Sequence, residues 1–167
     1  RIALFERQPE DATRIARFAP ARTDLHWRGY SEFADLPWTQ PLTPVYERVR
    51  PNPHWSITPG GWCTRYGAVD ELLAREDNAL VLLNGGDELT LSFAADQLPP
   101  VPAGSRRDFF LATGGWDKDA DFHVELGWKV DPVPWQGMDD QAYGRQPRPA
   151  FPSDPLGARY RTRWVPP

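Results

Sequence analysis

The chain reads as an all-β (mainly β) protein, an antiparallel β-sandwich of immunoglobulin-like or jelly-roll kind, carrying one short helix and long Pro-rich loops. Three observations predict this. Several segments alternate apolar and polar residues with the period of a half-buried strand. Nineteen prolines and thirteen glycines in 167 residues leave little room for long helices. Eight tryptophans within an aromatic content of 13% give loop-rich structure large rigid anchors. A chain of this length is the size of one domain and can bury roughly two thirds of its unfolded surface.

In chain order, residues 1–6 and 14–18 are short β-compatible pieces. "TDLHWRGYSEF" at 23–33 sets Leu25, Trp27 and Gly29 against Asp24, His26 and Arg28, which predicts a strand. Residues 37–59 hold prolines at 37, 41, 44, 51, 53 and 59, so this segment is expected to wrap the surface without a helix or a central strand. A further strand is expected at 62–66. "GAVDELLARED" at 67–77 predicts a helix of about two turns, with Val69, Leu72 and Leu73 on one face and Asp70 and Glu71 in the first turn. "ALVLLNGGDELTLSF" at 79–93 predicts a hairpin around Asn84, Gly85 and Gly86.

Strands are likewise expected at 106–113 and at 122–130, where Phe122, Val124, Leu126, Trp128 and Val130 oppose His123, Glu125, Gly127 and Lys129. From 131 onward eight prolines in 37 residues predict an extended, strand-poor tail whose aromatics lie against the sandwich or a partner. The division is therefore a sandwich domain over 1–136, with its Pro-rich surface loop at 37–59, and a Pro/Arg-rich tail over 137–167.

Charge and hydropathy narrow the function classes. A formal charge of −4 offers no clustered cation for nucleic acid or anionic lipid, the basic "GARYRTRW" at 157–164 excepted. The longest aliphatic run, "ALVLL" at 79–83, is far below the ~20 residues that span a bilayer. The chain starts at Arg1 without an apolar signal segment, which suggests a mature or excised piece. Its single cysteine, Cys63, cannot form an internal disulfide and fits any redox compartment.

Few residues look chemical. Asp117, Asp119 and Asp121 in "GGWDKDADFH" could supply three of the about six to eight oxygens a calcium ion takes, with Glu125 and backbone carbonyls beside them. An EF-hand counted from Asp117 would need glycine at 122 and glutamate at 128, where this chain has Phe122 and Trp128, and Lys118 sits mid-run. Those departures favour a solvated loop between strands. Cys63 with His54 is the one thiol and imidazole pair near in sequence; a buried inert thiol is the simpler reading. Ser105 lacks the glycines of a nucleophile elbow. His26, His54 and His123 show no paired ligand spacing, and "NGGDE" lacks the lysine and helix of a phosphate loop. Trp38, Trp55, Trp62, Trp116 and Trp135 fall in or near loops. Trp38, Trp55, Trp116 and Trp135, with Tyr160 and Trp164 of the tail, are the candidate interaction residues, as packing anchors, partner contacts or sugar platforms.

With these residues in view, 55–164 resembles a C-terminal segment of secreted or periplasmic proteins that carry FG-GAP (VCBS) repeats, often with tetratricopeptide repeats. The matching pieces are "CTRYGAVDELL", "GGDELTLSF", "LPPVPAGSRRDFFLATGGWDKDAD", "VDPVPWQGM" and "RYRTRW". The resemblance implies a periplasmic or extracellular address and a non-enzymatic character, and it carries over no catalytic residue. The expectation is a non-catalytic interaction or structural subunit that meets protein partners in a larger assembly, which can be membrane-bound, with no cofactor beyond the calcium candidate. The alternative is a carbohydrate- or ligand-binding module assisted by calcium.

Overall fold

The computed structural model describes residues 14–34, 43–53, 58–118, 126–136 and 154–166. Among these the chain is mainly β, with small antiparallel sheets and one short α-helix. Strand β1 spans Arg22–Trp27, β2 Tyr30–Phe33, β3 Pro44–Arg50, β4 Gly61–Cys63, β5 Asp87–Ser92 and β6 Arg163–Val165; helix α1 spans Pro155–Tyr160. The strands pair as β1 with β5, β2 with β3, and β4 with β6, all antiparallel.

The strand expected at 23–33 is two strands. Gly29 adopts a φ of 106°, and a Cβ there would lie 3.2 Å from the Arg50 carbonyl oxygen, so the chain turns where only glycine fits without strain. Before the turn, Thr23 and Leu25 face inward from β1. After it, β2 leaves for a different partner, β3. That partner lies inside the segment expected to be irregular, a correction with a simple cause: prolines at 44 and 51 bracket the Pro-free run "VYERVR". Pro44 occupies the first position of an edge strand, where its missing N–H costs nothing.

β1 is held on both edges. Beyond β5, Leu25 exchanges backbone hydrogen bonds with Gly67, N–H to O 2.9 Å and 2.8 Å. This explains a second correction, since 79–93 is not a hairpin. The Asn84–Gly86 turn exists, with Asp87 N–H donating to the Asn84 oxygen at 3.0 Å, but β5 pairs with β1 and the 79–83 run joins no strand. Leu82 instead donates to Thr64 Oγ1 at 2.8 Å and accepts from the Thr64 N–H at 3.1 Å.

The predicted two-turn helix at 67–77 contracts to a 3-10 turn, Asp70–Leu73. Helices this short are marginal without tertiary support, and here tertiary contacts take the ends. Val69 N–H donates to the buried Thr23 Oγ1 at 2.9 Å, and Asp77 accepts from Ala79 N–H at 2.7 Å, closing a local turn. The i, i+3 face survives, because a 3-10 turn aligns those positions. Val69 and Leu72 join Leu25, Ala79 and Tyr160 in the buried core.

Tyr160 comes from the tail, where the expectation of an extended, strand-poor chain is corrected for 154–165. Asp154 caps α1, accepting from Leu156 N–H at 3.1 Å and Gly157 N–H at 2.8 Å, with Pro155 at the first helical position. The following β6 lies on β4 in the register Gly61 to Val165, Trp62 to Trp164 and Cys63 to Arg163.

Two further strand expectations are corrected within the described residues. Residues 106–113 join no sheet. Residues 126–130 form a turn, Leu126 at a φ of 63° and Lys129 N–H on the Leu126 oxygen at 3.1 Å, followed by a parallel bridge from Lys129 to Gly60. A Cβ on Gly61 would lie 2.9 Å from the Val130 Cβ, so glycine there permits that approach. Residues 1–6 and 122–125 lie outside the described residues, and 14–18 joins no sheet.

Candidate functional site

Strand alternation sends Arg163 and Trp164 to opposite faces of β6, and each builds a different environment. Arg163 reaches the carboxylate of Asp87, whose side chain is fully buried at the start of β5. The same carboxylate accepts from Tyr66 Oη–H at 2.8 Å and from Asn84 N–H at 2.7 Å. Arg163 also donates from Nε to the Thr64 oxygen at 3.0 Å and stacks on the Tyr66 ring, 4.4 Å from its centroid. Desolvation, reinforced by the hydrogen bond to Asp87 and its charge, pushes the Tyr66 hydroxyl up to about 12. Both carboxylate oxygens are engaged by donors from the fold, so this centre locks the tail to β5.

Cys63 lies beside the lock. Its buried thiol accepts from Asn84 Nδ2 at 3.8 Å, and Asn84 also donates to the Pro59 oxygen at 2.7 Å. Burial pushes the thiol pKa up, which leaves the sulfur protonated and weakly nucleophilic. His54 lies outside the described residues.

A second polar group sits on the outer side of β1 and β5. Glu88 pairs with Arg28 at 3.1 Å and accepts from Tyr46 Oη, while the Arg28 guanidinium lies 3.8 Å above the Tyr46 ring. His26 approaches Asp24 at 3.2 Å through Nδ1 and Glu88 at 3.4 Å through Nε2. The Nδ1 contact lacks hydrogen-bond geometry. Because Tyr46 belongs to β3, this cluster joins the β2–β3 pair to the β1–β5 pair.

The aspartate loop is described only in its first part. Asp117 is exposed; Asp119, Asp121 and Glu125 lie outside the described residues. Lys118 turns to the backbone, donating from Nζ to the oxygens of Val130 and Pro132, both at 3.1 Å. Its pKa is lowered by desolvation, against the opposing charge of Asp131. Among the described residues no group of three His, Cys, Asp or Glu is placed to hold a metal ion.

The candidate interaction residues divide. Trp116 and Trp164 are exposed and Trp135 is half-buried. Tyr160, expected at a contact surface, is only 8% exposed: its ring packs in the core beneath the Arg65 guanidinium, 4.6 Å away. Trp38 and Trp55 lie outside the described residues.

Sequence reasoning missed a wide apolar trough. It is an open depression of about 2960 Å³ whose lining includes Leu73, Leu83, Leu91, Phe93, Phe109 and Phe110. That is several times the about 300–1,000 Å³ of a small-molecule site. Phe109 and Phe110 are 74% and 92% exposed beside Leu111 at 67%. The signal was present as three consecutive large apolar residues, but a half-buried strand and an uncovered surface read alike in sequence. No helix among the described residues is long and apolar enough to cross a membrane. Comparisons with protein-family models, with curated proteins and with solved structures return no match.

Proposed function

We propose that the chain is a non-catalytic, extracytoplasmic β-sandwich that serves as an interaction or structural subunit of a larger assembly, which can be membrane-bound. The observation that carries the reading is the uncovered apolar stretch Phe109–Leu111 on the rim of the trough. A phenylalanine hides roughly 150–250 Å² when buried, at about 25 cal/mol per Å². Soluble monomers seldom leave contiguous apolar area of this kind facing water unless something covers it. The resemblance of 55–164 to the end segments of secreted FG-GAP proteins supports the address and the absence of catalysis. The engaged Asp87 and the buried, protonated Cys63 offer no activated nucleophile.

The test is chemical cross-linking in the natural host with wild type and a Phe109→Ser/Phe110→Ser variant, together with fractionation of the cells. The expected result is a discrete cross-linked species in the extracytoplasmic fraction that the variant loses while retaining its thermal midpoint. An uncross-linked wild type, or a species indifferent to the variant, refutes the reading.

A further inference from the structure

The outward face of the β4–β6 ladder carries a second surface, distinct from the trough. Trp62 and Trp164 are cross-strand partners, their ring centroids 5.3 Å apart and their planes inclined at 65°. They remain 46% and 55% exposed, so the pair stabilises itself edge to face while leaving indole surface in water. Beside the ladder, Arg161 donates from Nε to the Trp62 oxygen at 3.4 Å and grips both oxygens of Asp131, at 2.6 and 2.7 Å. The guanidinium is largely covered; the carboxylate it fixes is 56% exposed and keeps lone pairs directed away from Arg161.

We propose that this face binds a neutral pyranoside. A pyranose has an apolar C–H face, which an exposed indole matches, and vicinal hydroxyls at its rim, which an oriented carboxylate accepts. The charge arrangement selects among ligands. Arg161 is already neutralised by Asp131, so this guanidinium is not free to hold an anionic ligand. A cationic peptide would have to compete with Arg161 Nη2, which contacts both oxygens of the same carboxylate. Hydroxyl donors need only the lone pairs left over. The rings meet edge to face and both stay about half exposed, so one indole stacks on the sugar while the other borders it. None of Trp62, Asp131, Arg161 and Trp164 lines the trough, so the proposal does not depend on the docking role of Phe109–Leu111.

The test titrates the full chain with cellohexaose, xylohexaose, maltohexaose and chitohexaose, following indole fluorescence. The expected result is a saturable change with at least one of the four. Trp164→Ala should weaken it about tenfold, the loss of one stacking ring. Asp131→Asn, which preserves side-chain volume, should weaken it by a smaller factor. Trp27→Phe, at an exposed indole on β1, should leave the affinity unchanged. The proposal is overturned if no oligosaccharide gives a saturable change. It is equally overturned if Asp131→Asn and Trp164→Ala, each with a wild-type thermal midpoint, bind as wild type does. Should Trp164→Ala melt early, Trp164→Phe at equal stability decides with Asp131→Asn, and wild-type affinity in both overturns the proposal.

Discussion

Replacing Arg163 with alanine should show how much the tail lock contributes. The substitution removes the guanidinium from a carboxylate with no exposed side-chain surface, leaving Asp87 with two neutral donors, Tyr66 Oη–H and Asn84 N–H. Orphaning one member of a buried pair costs about 3–5 kcal/mol. Arg163 is partly solvated and the two donors remain, so the lower end, about 3 kcal/mol, applies. For a chain of this size that lowers the thermal midpoint by about 6–12 °C. Circular dichroism melts of wild type, Arg163→Ala and Arg159→Ala at neutral pH provide the measurement. Arg159 pairs with Glu71 at 2.7 Å with both side chains in water, and such a pair contributes below about 1 kcal/mol. Adding Asp87→Asn to Arg163→Ala should recover part of the loss, because the stranded charge is gone. If Arg163→Ala costs no more than Arg159→Ala, or if Asp87→Asn deepens the loss, the lock is not the electrostatic centre its geometry describes.

Two other outcomes follow from the same region. Cys63 should resist Ellman's reagent in the folded protein and react fully on denaturation; rapid stoichiometric labelling under native conditions would contradict its burial and raised pKa. The Tyr66 hydroxyl is raised from 10.0 to about 12, so the folded state keeps a proton that the unfolded state releases first. Its stabilisation is complete below pH 10 and is lost as pH rises through 10 to 12. Tyr66→Phe should flatten that alkaline decline, by an amount reduced by solvent screening of the partly exposed ring. An identical decline in both proteins would place the titration elsewhere.

Local patterns in the sequence identified faces better than partners. Leu25 in β1, Leu89 in β5 and the Val69/Leu72 pair were legible because period-2 and i, i+3 spacing report which side chain turns inward. The partner of β5 was not, since "NGGDE" marks a turn whichever strand follows it, and the ladder forms with β1 far upstream. β3 is hidden because six prolines across 37–59 mask a run, 45–50, in which none falls. α1 and β6 were hidden by brevity: a capped turn and a three-residue strand have no periodicity to detect. Arg163 was visible as part of the basic patch "GARYRTRW" at 157–164. Its role depends on a buried aspartate 76 residues away, which only the tertiary fold brings near.

That separation also sets an order of events during synthesis. Asp87 leaves the ribosome 76 residues ahead of Arg163. At about 5–20 residues per second, its carboxylate waits roughly 4–15 s for its counter-charge. Until then a hydrated aspartate is the favoured state, and enclosing it would strand an ion. The β4–β6 ladder also closes a loop of about a hundred residues, an entropic cost of about 4 kcal/mol before the constant term. β4 therefore lacks its ladder partner, and Asp87 its counter-charge, until the last described strand arrives, so this part of the fold is timed by translation of the tail.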